Sequence, residues 1–133
     1  MKRSEEREQA FILVFEKIFN SELSSQDIKD IAVESELFTA GGFAEKLFDT
    51  VCDNVEMLDE KISQYLKGWT LQRIPRVSLA VLRLAVCEIL FFDDVPDGVC
   101  ANEAVELAKK YAGEEDAAFI NGVLGSVIRG KNN

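Results

Sequence analysis

The chain has no histidine, which excludes Ser–His and Cys–His catalytic pairs and every histidine-ligated metal. It has 2 prolines in 133 residues and no alternating β-branched runs joined by Asn-Gly, which argues against an all-β fold. Its 3 cysteines, Cys52, Cys87 and Cys100, are odd in number, widely spaced and set among apolar neighbours. They read as small core residues in a reducing compartment, not as a disulfide frame or a metal site. No apolar stretch reaches the roughly 20 residues of a membrane helix. Behind Lys2 and Arg3, the acids Glu5, Glu6, Glu8 and Glu16 break any signal-peptide pattern, so a cytoplasmic protein is expected. A phosphate loop, a GxGxxG turn, a CxxC pair and a nucleophile beside a base are all missing, so no enzyme, cofactor or metal is expected.

Charge is unevenly spread. The net charge of −9 speaks against a generic nucleic-acid coat. Residues 1–19 balance at 4 bases and 4 acids, residues 20–66 carry 11 acids against 3 bases, and residues 67–133 are nearly neutral. Between Glu60 and Glu88 there is no acid, while Lys61, Lys67, Arg73, Arg76 and Arg83 all fall there. The molecule is therefore polarised, with an acidic first half and a locally basic middle.

What is present is helical. From Pro75 to Phe92, apolar residues occupy every side and only Arg76, Ser78, Arg83 and Glu88 interrupt them. A surface helix would keep one wet face, so this stretch predicts a buried central helix. Phe11, Val14, Phe15, Ile18 and Phe19 follow i, i+3, i+4 spacing and predict a first helix over 5–20, capped by Ser4, with its aromatic stripe in the core. Ser24 or Ser25 caps a short second helix. Residues 43–66 repeat apolar positions at steps of three or four, as one long helix or as two with a break near Asp53-Asn54. Trp69 is expected to anchor the next crossing into the core. Asp97 and Asp116 are the expected caps of helices over 99–112 and up to Gly130. Gly122 and Gly125 suggest close approach of another helix, with Asn121 buried and satisfied beside them. Six or seven helices with short connections give a compact bundle, or two small bundles sharing the central helix.

Chemistry on these helices is sparse. Lys109 and Lys110 sit in a last helical turn, where the helix dipole favours cations whatever else they bind. Glu103 and Glu106 lie three apart on one face, a weak signal for acid–base work.

Four motifs carry more. LRLA at 82–85 is followed by Glu88, DDVP occupies 93–96, NEAVELAK occupies 102–109, and FINGVL occupies 119–124. This segment, 82–129, resembles the C-terminal half of the NusB family of bacterial transcription antitermination factors. The match is looser but in register upstream, through LKGWTLQRI at 66–74 and the first helix. The resemblance implies an all-α fold of seven helices, in two three-helix subdomains (about 1–68 and 69–133) around a buried central helix. It implies pairing with ribosomal protein NusE, and binding of the pair to single-stranded boxA RNA. Bound there, the pair would help the RNA polymerase antitermination complex through ribosomal RNA operons. It assigns RNA contact to Lys2, Arg3, Arg7, Phe15, Lys109 and Lys110, and partner contact to Arg76, Ser78, Leu79 and Arg83. The sequence departs from the family where acids interleave the first bases, at Ala118 in place of a lysine, at Cys87 in place of an aromatic, and at Ser78-Leu79 in place of an acid–base pair. An alternative on the same scaffold is a protein–protein adaptor, or a homodimer, using the acid-poor 61–87 surface. A kinship with the helical domain fused to ribosomal RNA cytosine methyltransferases would bring no catalysis, because no cofactor-binding α/β domain is in the sequence.

Overall fold

The computed structural model describes residues 2–131 and is all-helical there. Seven α-helices follow in order: α1 (Arg3–Phe19), α2 (Ser25–Glu34), α3 (Phe43–Asp53), α4 (Val55–Ser63), α5 (Arg76–Phe91), α6 (Asp97–Tyr111) and α7 (Glu114–Lys131), with one 3-10 turn at Leu71–Arg73 before α5. None of them is long and apolar enough to cross a membrane.

α5 is the axis. Leu82, Val81, Val86, Cys87 and Ile89 are fully covered, and α1, α3, α4, α6 and α7 all pack on it. Each large apolar side chain buried there is worth about 1.5–3 kcal/mol against leaving it in water. Arg7 reaches Glu88 near the end of α5, while Val14, Lys17 and Ile18 lie beside Arg76, Leu79 and Arg83 near its start, so α1 and α5 run antiparallel. On its other flank α1 runs beside α6, with Phe11 4.9 Å from the Tyr111 ring.

Local chemistry sets most boundaries. Ser24 and Asp27 form a reciprocal capping box at α2, at 3.0 and 3.1 Å. The 43–66 repeat divides at Asn54, whose side-chain amide donates to the Thr50 carbonyl at 2.8 Å. α3 starts after Gly42, which has no side-chain oxygen to cap it. The carboxylate of Glu6, reaching over from α1, accepts the Phe43 N–H at 3.2 Å instead. A Cβ on Gly42 would stand 2.9 Å from that same oxygen and would push the Glu6 carboxylate off the Phe43 N–H.

Several expectations are corrected. α1 begins two residues early, with Lys2 in the cap position, so Ser4 is inside the helix. Asp97 and Asp116 also lie inside first turns, not at caps. Asp97 instead accepts the Lys131 ammonium at 3.0 Å, tying α7 to α6. Asn121 is exposed and Gly122 meets nothing within 4 Å. The close approach comes at Gly130, where any side chain would collide with the Tyr65 hydroxyl. Trp69 is 57% exposed. Lys67 and Gly68 both adopt left-handed φ angles, +40° and +90°, and turn the chain so that the indole points outward.

Candidate nucleic-acid interface

The bases of the first helix share a neighbourhood with those of α6, but most are already engaged. Arg7 is 4% exposed; its Nε lies 2.9 Å from both oxygens of Glu88 and its Nη2 2.6 Å from Oε2. Its Nη1 stands 3.7 Å from Glu103. Burial pulls the Arg7 guanidinium down, yet its bonds to Glu88 outweigh that and hold it above its ordinary value. The expected phosphate contact at Arg7 is therefore corrected: the side chain faces the core, because it shares the helix phase of Ala10, Phe11 and Val14.

Lys110 is exposed and bonds the Glu8 carboxylate at 2.5 Å, and the Tyr111 hydroxyl donates to the same oxygen. Lys110 first, and Tyr111 next, hold Glu8 below the usual carboxylate range. Lys109 stands 3.7 Å from Glu106. Arg3, exposed, holds its guanidinium carbon over the Phe43 ring, 3.9 Å from its centroid, a cation–π contact. Lys2 is exposed and makes no ion pair among the described residues. The seam between α1 and α6 is thus a groove of about 270 Å³ in which Glu5, Glu8, Glu103 and Glu106 surround Lys110.

Phe15 is half-buried in a row of rings that leaves the core as it goes. Phe11 is covered, Phe15 lies 6.1 Å from it, and Phe19, 4.9 Å further on, is 58% exposed. The core assignment of the whole stripe is corrected for its outer end.

On α5, helix phase divides the residues expected to meet a partner. Arg76, Leu79 and Arg83 share one face and line a groove of about 400 Å³ with Lys17, Ile18 and Cys52. Arg83 is clamped in that wall by two 2.7 Å bonds to Asp59 of α4. Ser78 points the other way. It is wholly buried and its hydroxyl has no hydrogen-bond partner, so it cannot touch a partner protein.

Lys2, Arg3 and Arg76 have no carboxylate partner among the described residues, and further such cations gather at a second place. Lys67, Arg73 and Arg129 make no ion pair among the described residues, and all three flank an aromatic pair, the exposed Trp69 and the half-buried Phe119, 6.4 Å apart and edge-to-face. Glu115 and Asp116 border one side. Helical periodicity alone could not find this site, since it reads a lone tryptophan as core. The acid-free run from Lys61 to Cys87 was the signal for its charge.

The three cysteines are thiols with no reactive character. Burial pushes Cys52 up to about 11 and Cys87 and Cys100 up to about 12.

Comparison with known proteins places this geometry in context. The NusB family pattern matches residues 4–129. A transcription antitermination protein NusB of Clostridium botulinum is 38% identical over 144 residues, covering 96% of this chain and all of that one. The solved NusB of T. maritima is 30% identical with a TM-score of 0.86, over 97% of this chain and 92% of that one. A crystal structure of antitermination factors NusB and NusE in complex with dsRNA matches at 27% identity and a TM-score of 0.86, over 96% of each chain. With a family pattern spanning nearly every described residue and a fold that superposes along its whole length, the chain belongs to the NusB family of transcription antitermination factors.

Proposed function

We propose that this chain binds RNA together with ribosomal protein NusE, on single-stranded boxA elements, and so promotes transcription of ribosomal RNA operons. The observation that carries the reading is the surface at Trp69 and Phe119, where an exposed indole and a half-buried ring stand beside Lys67, Arg73 and Arg129, none of them held in an ion pair among the described residues. Unstacked bases seek such rings, at roughly 1–3 kcal/mol per base, and phosphates seek such cations. The full-length likeness to a NusB bound with NusE and dsRNA supports both partners. The Arg76–Leu79–Arg83 groove offers NusE an apolar floor with a cationic rim. Lys2, Arg3, Lys109 and Lys110 supply further phosphate contacts, and Phe15 an adjacent ring, once RNA displaces Glu8 and Glu106 from the two lysines.

A second reading has its own observation. The acidic α1–α6 groove favours a protein–protein adaptor with feeble RNA binding of its own. Titrating boxA and scrambled RNA, with and without NusE, separates the two. A boxA preference of tenfold or more in the presence of NusE, lost with Trp69→Ala and Arg73→Ala, is the expected result. Equal, weak binding to both RNAs with NusE bound would leave the adaptor.

A further inference from the structure

We propose a second docking surface, on the side of α1 away from α5, that takes a basic amphipathic helix of a protein partner. α1 presents Ile12, Glu16 and Asn20 there, and α2 presents Ile28 and Ile31, with Leu37 closing one end of a groove of about 330 Å³. Ile31 is 52% exposed and Leu37 56%, so apolar surface stands open where α2 packs on α1 alone and touches α3 through Lys29. Val14, Lys17 and Ile18 face the α5-side groove, so the two surfaces lie on opposite flanks of the same helix.

Charge selects the occupant. Asp27, Asp30 and Glu34, all exposed, follow the helix phase next to Ile31, and Glu16 lines the α1 side. The single cation of α2, Lys29, points away, bonded to Glu45 at 2.9 Å and Asp49 at 3.0 Å. A rim of carboxylates around an apolar floor repels RNA and anionic lipid, and attracts a helix with Lys or Arg flanking two or three apolar anchors.

The turn after α2 adds an independent observation. Glu36 is a non-glycine residue at φ +60°, in a C-terminal motif in which the Leu37 N–H donates to the Ala32 carbonyl at 2.9 Å. Glycine suits that position better by the steric rule for left-handed backbone. The sequence instead places Glu36 there, between the groove-lining Ser35 and Leu37, while the motif fixes Leu37 at the groove mouth despite its exposure. Strain held at such a point fits a binding role.

The test uses the full chain, isotopically labelled, and a 16-residue capped helical peptide with leucines at i, i+3, i+4 and i+7 and lysines elsewhere. A glutamate-for-lysine twin serves as control, at physiological salt. The expected result is saturable binding with amide shifts confined to α1, α2 and the 35–38 turn, weakened at least tenfold by Ile31→Ser and by the pair D30K and E34K. Both sites are exposed, so these variants leave the fold intact, which unchanged amide shifts elsewhere verify. Equal binding of the glutamate twin, shifts on the α5 side, or no saturation at millimolar peptide would each overturn the proposal. So would a concentration-dependent dimer protecting this groove, which would make a second copy the occupant.

Discussion

The Arg7–Glu88 pair makes a quantitative test of where α1 spends its charge. Arg7→Met leaves the Glu88 carboxylate 2% exposed with no cation, since no other base bonds it among the described residues. Removing one partner of a buried pair costs about 3–5 kcal/mol. At this chain length each kcal/mol moves Tm by about 3–5 °C, so the midpoint should fall by roughly 10–20 °C. Glu88→Met is milder, toward about 3 kcal/mol, because Arg7 keeps Glu103 at 3.7 Å as a partial partner. The double variant R7M/E88M replaces the pair with two apolar side chains of similar length and should return to within about 1 kcal/mol of the parent, because neither charge remains buried alone. Thermal and denaturant unfolding of all four proteins completes the cycle. Two small, additive single effects would refute the reasoning, and would mean that Arg7 reaches solvent. The double variant then tests the RNA face directly: if Arg7 touches no phosphate, the salt slope of RNA binding is unchanged. A loss of about 0.7 in that slope would restore Arg7 as a contact.

Ser78→Ala should stabilise the protein by about 1 kcal/mol, since it removes a buried hydroxyl with no partner and improves helix propensity; a destabilised variant in urea melts would show that the hydroxyl is satisfied. Glu8 is held below its ordinary value of 4.5, so its contribution is complete above that pH and is lost as the pH falls through its lower folded value. Glu8→Gln should therefore lower stability at neutral pH, with the gap from the parent closing below about pH 4; a constant gap down to pH 2 would count against the Glu8–Lys110 link. The cysteines should resist thiol reagents in the native state: with Cys52 at about 11, roughly one molecule in a thousand carries that thiolate at pH 8, and a stoichiometric burst in native buffer would contradict its burial.

The features set by periodicity were legible and those set by geometry between helices were not. The Pro75–Phe92 stretch announced the central helix because no face of it is polar, and α5 is the element on which five others pack. Seven helices and their order followed from the spacing and the family motifs. The break in the 43–66 repeat stayed open in the sequence because Asn54 interrupts neither apolar row; its backbone, at φ −126° and ψ 20°, leaves the helical region there, and its amide bonds the Thr50 carbonyl. Ser78 illustrates the limit for sites. It sits beside Leu79 in sequence, but one residue is a rotation of roughly 100° around a helix, enough to carry it from a groove wall into the core. Trp69 was misplaced for a related reason, since its outward turn is made by the backbone of Lys67 and Gly68 and not by any pattern in the apolar residues.

The interleaved acids of α1 have structural tasks that explain the thin cationic face. Glu6 caps α3 across the helix interface, and Glu8 binds Lys110 and Tyr111 of α6. Arg7 between them is bonded to Glu88 of α5. Three consecutive residues thus fasten α1 to three different helices, and a run of bare arginines could not do so. A phosphate approaching Lys110 must replace a carboxylate already there, so it gains only the difference between two charge-assisted bonds. Free attraction is left to Lys2 and Arg3 at the start of α1 and to Lys67, Arg73 and Arg129, none of which is held in an ion pair among the described residues. Affinity for a polyanion should therefore be divided between the Trp69–Phe119 surface and the Lys2–Arg3 start of α1, with the Lys110 seam contributing orientation more than energy.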